Sequence, residues 1–163
     1  MKKIFIIGSV ASGKTTLARN LSRHTHINWY ELDQIVYHKT EIERYKRSGE
    51  EQKKVILEID ETGQWIFEGV NRSSYDFLFE MADSIIWIDP PLWKRKILIF
   101  IRYLKQNLGL ETCHYKSDIN MLRMMYKWLN DFELERNDFE LNLEKYSEKV
   151  IIMKTINEGV LER

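Results

Sequence analysis

Residues 8–15 read Gly-Ser-Val-Ala-Ser-Gly-Lys-Thr, which satisfies the pattern Gly-x-x-x-x-Gly-Lys-Thr. The two glycines permit backbone angles that other residues avoid, so the loop can turn its N–H groups inward around phosphate oxygens. A lysine at this position can reach the β- and γ-phosphates, and the hydroxyl that follows can ligate Mg²⁺. The stretch therefore predicts a nucleoside triphosphate site. Its predicted ligands are Gly8, Ser9, Val10, Ala11, Ser12, Gly13, Lys14, Thr15 and Thr16. Thr16 is equally consistent with a contact to the α-phosphate and with a plain residue at a helix start.

The context of this loop agrees with the interpretation. Residues 3–7 are a short apolar run rich in Ile, which predicts a buried strand that ends at Gly8. Leu17, Ala18 and Leu21 recur at helical spacing directly after the loop. A strand, a glycine-bounded loop and a helix in this order are the setting that the motif requires, because the helix directs its positive end at the bound anion.

Strand and helix patterns continue to alternate along the chain, which predicts an α/β fold. Further strands are predicted near 27–32, 65–67, 84–88 and 149–153, and helices near 40–60, 73–82, 92–107 and 118–146, with a short helix at the end. Strands joined through helices form a parallel sheet, and right-handed crossovers place helices on both faces. The expected architecture is a three-layer α/β/α sandwich.

Composition narrows the class of protein. The chain has 163 residues, enough for one domain over 1–163, and Lys plus Arg equals Asp plus Glu at 25 each. Zero net charge gives no support for general attraction to nucleic acid, so nucleic acid is not expected as a partner. The single cysteine fits a reducing compartment, and the apolar run at 97–101 is far too short to span a bilayer. We expect a cytoplasmic protein that binds no membrane and exists as a monomer or homodimer.

Three further segments resemble small P-loop kinases. They are Glu31-Leu32-Asp33, Trp65-Ile66-Phe67-Glu68-Gly69 and Ile86-Trp87-Ile88-Asp89-Pro90-Pro91. Together with the loop they make the chain similar to the adenylate-kinase-like group, closest to its branch labelled FlaR-like or DNA topology modulation protein. The resemblance implies a five-stranded parallel sheet in the order 2-3-1-4-5, ATP as donor, Mg²⁺, a small acceptor, and a lid near 104–118.

Two carboxylates are expected at strand ends, where ligands gather in open α/β sheets. Glu68 is predicted to hold Mg²⁺ with Thr15 and to face the substrate, although the relatives more often have aspartate there. Asp33 is predicted to contact the acceptor hydroxyl or to act as base. Solvated strand-end acids, or a helix cap for Asp33, are the competing interpretations. Asp89 is read first as a turn or N-cap residue.

Two arginines complete the predicted site. Arg72 follows Glu68 as in the Asp-Gly-x-x-Arg of adenylate kinase relatives, where the arginine binds the acceptor phosphate; the FlaR-like branch has a different sequence there. Arg102 matches the relatives' helix arginine and is predicted, with Lys14 and Asp33, to be catalytic. Arg95, like each of these basic residues, also fits a solvated helix face. The lid tip at 108–117 contains no arginine; Lys116 is a candidate substitute.

Three functions remain open from the sequence. The first is phosphoryl transfer from ATP·Mg²⁺ to a small acceptor, a nucleoside or nucleotide. The second is a nucleotide-dependent regulator or DNA-associated protein with little kinase activity. The third is a module that binds nucleotide only to assemble with a partner.

Overall fold

The computed structural model describes residues 1–39, 44–110 and 117–155. The strands in these ranges are β1 (Lys3–Gly8), β2 (Trp29–Glu31), β3 (Tyr37–Lys39), β4 (Arg44–Lys46), β5 (Trp65–Gly69), β6 (Ser84–Ile88) and β7 (Val150–Met153). The helices are α1 (Lys14–Thr25), α2 (Leu32–Ile35), α3 (Gly49–Asp60), α4 (Phe77–Met81), α5 (Leu92–Asn107), α6 (Ile119–Leu134) and α7 (Arg136–Glu144). Short 3₁₀ turns lie at Ser73–Tyr75 and Ser147–Lys149. Residues 111–116 of the predicted lid tip (108–117), among them Lys116, fall outside the described residues, as do residues 156–163, where the terminal helix is predicted.

The main sheet has five parallel strands in the order β2-β5-β1-β6-β7. Counted along the chain among these five strands, that order is 2-3-1-4-5, so the α/β fold class is confirmed. β1 lies at the centre, with Ile7 level with Gly69 of β5 and Trp87 of β6. This register places the end of β1, and the loop that follows it, between the ends of β5 and β6.

Apolar side chains alternate between the two faces of the sheet. Phe5 and Ile7 of β1 pack in one buried cluster, whereas Ile4 and Ile6 pack in the other. The alternation follows from the two-residue period of a strand, and the continuous apolar run follows from burial of both faces. Burying each such side chain contributes about 1.5–3 kcal/mol, so the centre of the sheet is a rigid base for the loop.

The segment 40–60 differs from the prediction of one helix. The structure has a two-stranded antiparallel hairpin, β3–β4, and the helix begins only at Gly49. The His38 ring stacks on Tyr45 with 5.0 Å between centroids, which holds the hairpin together. Ser48 and Glu51 form a reciprocal capping box, which fixes where α3 begins.

The tryptophans of the sheet and of α5 differ in burial. Trp65 and Trp87 are buried in the sheet, whereas Trp93 lies on the outer face of α5 with 65% of its surface exposed. Among the helices of the described ranges, none is long and apolar enough to cross a bilayer.

Candidate active site

The loop after β1 has left-handed backbone at two of its residues. Ala11 has φ 54° and Gly13 has φ 100°, two left-handed positions in three residues. A Cβ added at Gly8 would lie 2.6 Å from the Ile88 carbonyl oxygen and 2.7 Å from Ser12 Oγ. The neighbouring strand end therefore excludes any side chain at Gly8. Gly8 must be glycine because the end of β6 approaches it closely. Gly13 favours glycine because its backbone angle is left-handed.

The N-terminus of α1 is open toward this loop. Gly13 is the N-cap, no described side chain caps the helix, and no acidic residue occupies its first turn. The first N–H groups of a helix lack intrahelical partners and carry the positive end of its dipole. They are thus available to an anion. Thr16 is the third residue of α1, within its first turn, and its side chain is exposed.

Lys14 folds back onto the loop. Its Nζ donates a hydrogen bond of 2.8 Å to the carbonyl oxygen of Ser9. The pKa of Lys14 is lowered, mainly because its ammonium group is buried, while the charges of Glu68 and Asp33 act in the opposite direction. The charges of both predicted carboxylates therefore act on the lysine.

Thr15 and Glu68 meet directly. The Thr15 hydroxyl donates to Glu68 Oε1 at 2.6 Å, which joins the start of α1 to the end of β5. Glu68 is 5% exposed, and burial raises its pKa, opposed by the Lys14 charge and the Thr15 hydrogen bond. The alternative of a solvated strand-end acid is therefore wrong for Glu68. A hydroxyl and a carboxylate are oxygen ligands of the type Mg²⁺ takes.

Asp33 and Arg72 form an ion pair, with 2.7 Å between Oδ1 and Nη2. Their side chains are 63% and 40% exposed, and they follow the C-terminal ends of the neighbouring parallel strands β2 and β5. Asp33 lies in the first turn of α2 rather than at its N-cap, which is Glu31. The two residues predicted to face the acceptor are thus adjacent in space, on the side of the loop where Asp33 acts on Lys14.

Arg102 lies on α5, half-buried. Its charge contributes to the lowered pKa of Lys14, so the guanidinium lies within electrostatic reach of the loop. The described residues contain no group of three or more His, Cys, Asp or Glu side chains that could hold a metal ion.

Sequence reasoning missed a set of charges behind the loop, which we call the ion cluster: Asp89, Arg95, Glu133 and Arg136. Arg95 is 2% exposed, so its reading as a solvated helix residue is wrong. Asp89 is also buried, and α5 is capped at Pro91, so the turn or N-cap reading of Asp89 is wrong. Arg136 binds both oxygens of Asp89, and Arg95 Nη2 lies 2.8 Å from Glu133. One signal was available: Arg95 lies one turn before the buried Ile99.

Comparison with known proteins identifies the family. Residues 1–83 match the model of the PduV-EutP family, described as ethanolamine utilisation - propanediol utilisation, and this is more than half of the 163 residues. The chain belongs to the PduV-EutP family. The PduV-EutP match contains the loop, Asp33, Glu68 and Arg72, and it ends before α5 and the ion cluster. Curated protein sequences give no match to the chain.

Two solved structures share the fold of this PduV-EutP chain. Shikimate kinase from Acinetobacter baumannii in complex with shikimate is 12% identical, with a TM-score of 0.54 over 99% of this chain and 87% of that chain. Shikimate kinase from Bacteroides thetaiotaomicron is 16% identical, with a TM-score of 0.53 over 98% of this chain and 91% of that chain. At these identities the likeness establishes the fold alone, an α/β fold with a five-stranded parallel sheet and flanking helices.

Proposed function

We propose that the chain transfers the terminal phosphoryl group of ATP to a small acceptor, in the first place a nucleotide or a nucleoside, and that an anionic acceptor fits the site better than a neutral one. The observation that carries this proposal is that two groups of residues lie at one edge of the sheet: the loop after β1, and the Asp33–Arg72 pair that follows β2 and β5. Glu68 at the end of β5 is level with Glu31 of β2 and accepts a hydrogen bond from Thr15 of α1, which joins the two groups. Ligands of open α/β sheets bind at this carboxyl edge.

The nucleotide half-site is residues 8–16. Phosphoryl transfer depends on positioning and on neutralisation of charge more than on covalent catalysis. Positive potential at the loop would come from three sources: the loop amides, the open end of α1 and the half-buried Lys14. On ATP binding, the Lys14 ammonium exchanges or shares its bond to Ser9 with a phosphate oxygen, and its desolvation strengthens that contact.

Mg²⁺ fits the residues present. Thr15 Oγ1 and Glu68 Oε1 are 2.6 Å apart. A cation would compensate the charge of this buried carboxylate better than a single hydroxyl does. Thr15 would bind the ion directly and Glu68 would hold it through water. The ion would neutralise charge on the phosphate oxygens.

The acceptor half-site is Asp33 and Arg72. We propose that an anionic acceptor separates the exposed ion pair. Arg72 then binds the phosphate or carboxylate of the acceptor through two parallel hydrogen bonds of its guanidinium. Asp33 is then free to accept the proton of the attacking hydroxyl. Arg102 would stabilise the transferred group with Lys14. The fold relatives named as shikimate kinases make hydroxy acids the second acceptor class to test.

The adenylate-kinase-like and FlaR-like assignment remains part of this proposal. It rests on the segments at 31–33, 65–69 and 86–91. The assignment implies a single domain over 1–163 with a lid near 104–118, ATP as donor and a small acceptor.

A coupled ADP-release assay tests the function. The purified chain is given ATP·Mg²⁺ with a panel of nucleosides, mononucleotides and hydroxy acids. We expect one class to raise ADP release well above the rate without acceptor. If the protein binds ATP and no acceptor class raises turnover, transfer to a small molecule is refuted.

A nucleotide-binding protein without transfer is the second candidate. The closed Asp33–Arg72 pair favours it, because each residue neutralises the other in the absence of an acceptor. Tight ATP binding without turnover supports this candidate. Binding to DNA with a steep dependence on salt would favour the DNA-associated alternative instead.

A further inference from the structure

Ser9 makes contacts in two opposite directions. Its carbonyl oxygen accepts hydrogen bonds from Lys14 Nζ at 2.8 Å and from the Ser12 N–H at 3.4 Å. Its hydroxyl accepts a hydrogen bond from Arg95 Nη1 at 3.2 Å. Ser9 and Arg95 are both 2% exposed, so bulk water does not compete for these bonds. One buried residue therefore connects the lysine of the loop to an arginine on α5.

Arg95 is itself held in place by the ion cluster. Two cations, Arg95 and Arg136, face the carboxylates Asp89 and Glu133, and Arg136 also pairs with Glu140. Arg95 Nη2 lies 2.8 Å from Glu133 and 3.7 Å from Asp89. A buried guanidinium is tolerated only when such partners compensate its charge, and its rigid fork can serve several of them at once. The orientation of Arg95 toward Ser9 is thus set by residues at the end of β6 and on α6 and α7.

The tip of the loop rests on the same part of the molecule. Val10 and Ala11 pack against the buried cluster between α5 and α6, which contains Ile99, Leu122, Met125 and Leu129. Both supports of the loop, polar through Ser9 and apolar through Val10 and Ala11, come from residues beyond 83. The segment that matches the family model therefore supplies the loop, and the second half of the chain supports it.

We propose that Arg95 is a positioning residue that holds Ser9, and through it Lys14 and the loop, in the phosphate-binding conformation. The inference rests on the proposed function in one respect, namely that ATP is the ligand of the loop. Without the Arg95 bond, the Ser9 peptide is free to turn and its carbonyl no longer fixes Lys14. The binding-competent conformation is then a smaller fraction of the population, and the apparent affinity falls by that fraction.

A double-mutant cycle between Ser9 and Arg95 tests the proposal. Ser9→Ala removes the hydroxyl and leaves the ion cluster intact. Arg95→Lys keeps the charge beside Glu133 but loses the fork that reaches Ser9. Calorimetry with ATP·Mg²⁺ should give an affinity about tenfold weaker for each single variant, the effect of one hydrogen bond to a charged group. The double variant should be no more than about twofold weaker than either single variant, since both changes break the same bond.

Lys96→Met is the matched control. It removes one positive charge from the neighbouring position of α5, where the side chain is exposed. It should bind ATP as wild type does. Ser9→Ala leaves a buried Arg95 donor without its acceptor, so its free energy of unfolding, measured in urea, should fall modestly. The variant should remain folded in the titration buffer, so that lost affinity cannot be attributed to lost fold.

Two outcomes overturn the proposal: wild-type ATP affinity in Arg95→Lys, or single effects that multiply in the double variant to about a hundredfold loss. If Arg95→Lys does not fold, wild-type affinity in Ser9→Ala overturns it alone. Because calorimetry needs no acceptor, the failures are distinguishable. ATP binding without turnover refutes the proposed transfer only, whereas wild-type protein that binds no ATP refutes both.

Discussion

The phosphate loop and the Asp33–Arg72 pair are held in different ways, although both lie at the same edge of the sheet. The loop is contiguous in sequence, its serines are buried, and it is fixed by left-handed backbone and by contacts to β6 and α5. The Asp33–Arg72 pair joins residues 39 positions apart, and both side chains are largely exposed. We infer that the nucleotide half-site is preorganised and that the acceptor half-site adapts to its ligand.

The largest effect is expected from filling the space at Gly8. In Gly8→Ala the new Cβ meets the Ile88 carbonyl and Ser12 Oγ at less than 3 Å, so the loop must move. We expect loss of measurable ATP binding and a free energy of unfolding lower by about 1–3 kcal/mol. Calorimetry and urea unfolding measure the two effects.

Gly49→Ala is the control for that substitution. A Cβ at Gly49 would have no described heavy atom within 4 Å, and the residue begins α3. Stability should stay the same or rise by up to about 1 kcal/mol, with ATP affinity unchanged. A Gly8→Ala protein that binds ATP normally would contradict the close fit of the loop.

Asp33→Asn separates positioning from proton transfer on the adaptable side. If Asp33 accepts the hydroxyl proton, kcat for the acceptor falls by about 10²–10⁴, whereas ATP affinity stays near wild type. Steady-state kinetics with the best acceptor of the screen measure the change. An unchanged kcat would remove Asp33 from the reaction and leave it a structural partner of Arg72.

These two sites also show how far sequence alone reaches. The loop, the fold class and the strand order could be predicted, because a contiguous motif and apolar periodicity carry them. The hairpin β3–β4 could not be predicted, because the stacking of His38 on Tyr45 forms only when the two strands are paired. The ion cluster could not be predicted either. Asp89 and Arg95 form ion pairs with Arg136 and Glu133, and no spacing rule links positions so far apart in sequence.

Glu68→Gln is expected to weaken Mg²⁺-dependent ATP binding by about 10–100-fold, the range for a residue that holds a metal ligand rather than the metal itself. Burial raises the pKa of Glu68, so its carboxylate is lost at a higher pH than that of an ordinary glutamate. Binding in wild type should therefore decline as pH falls through this raised pKa, and the variant should lack that decline. Equal pH profiles would exclude Glu68 from the metal site.

Arg72→Met should give the smallest change in the protein itself. An exposed ion pair contributes at most about 1 kcal/mol, so the free energy of unfolding should hardly change. The KM for an anionic acceptor should rise about tenfold, from loss of a charge-assisted contact, with KM for ATP unaffected. A KM that rises equally for a neutral nucleoside would contradict the proposal that Arg72 binds the anionic group of the acceptor.

The direct test of the account is ATP binding by the loop. Titration calorimetry of wild type, Lys14→Ala and the exposed-lysine control Lys54→Ala with ATP·Mg²⁺ should show one site per chain in wild type and in the control. Lys14→Ala should bind about 10–100-fold more weakly, because a charge-assisted bond to phosphate is removed. Absence of binding heat in wild type, or equal affinity in Lys14→Ala, would contradict the assignment of this loop as a triphosphate site.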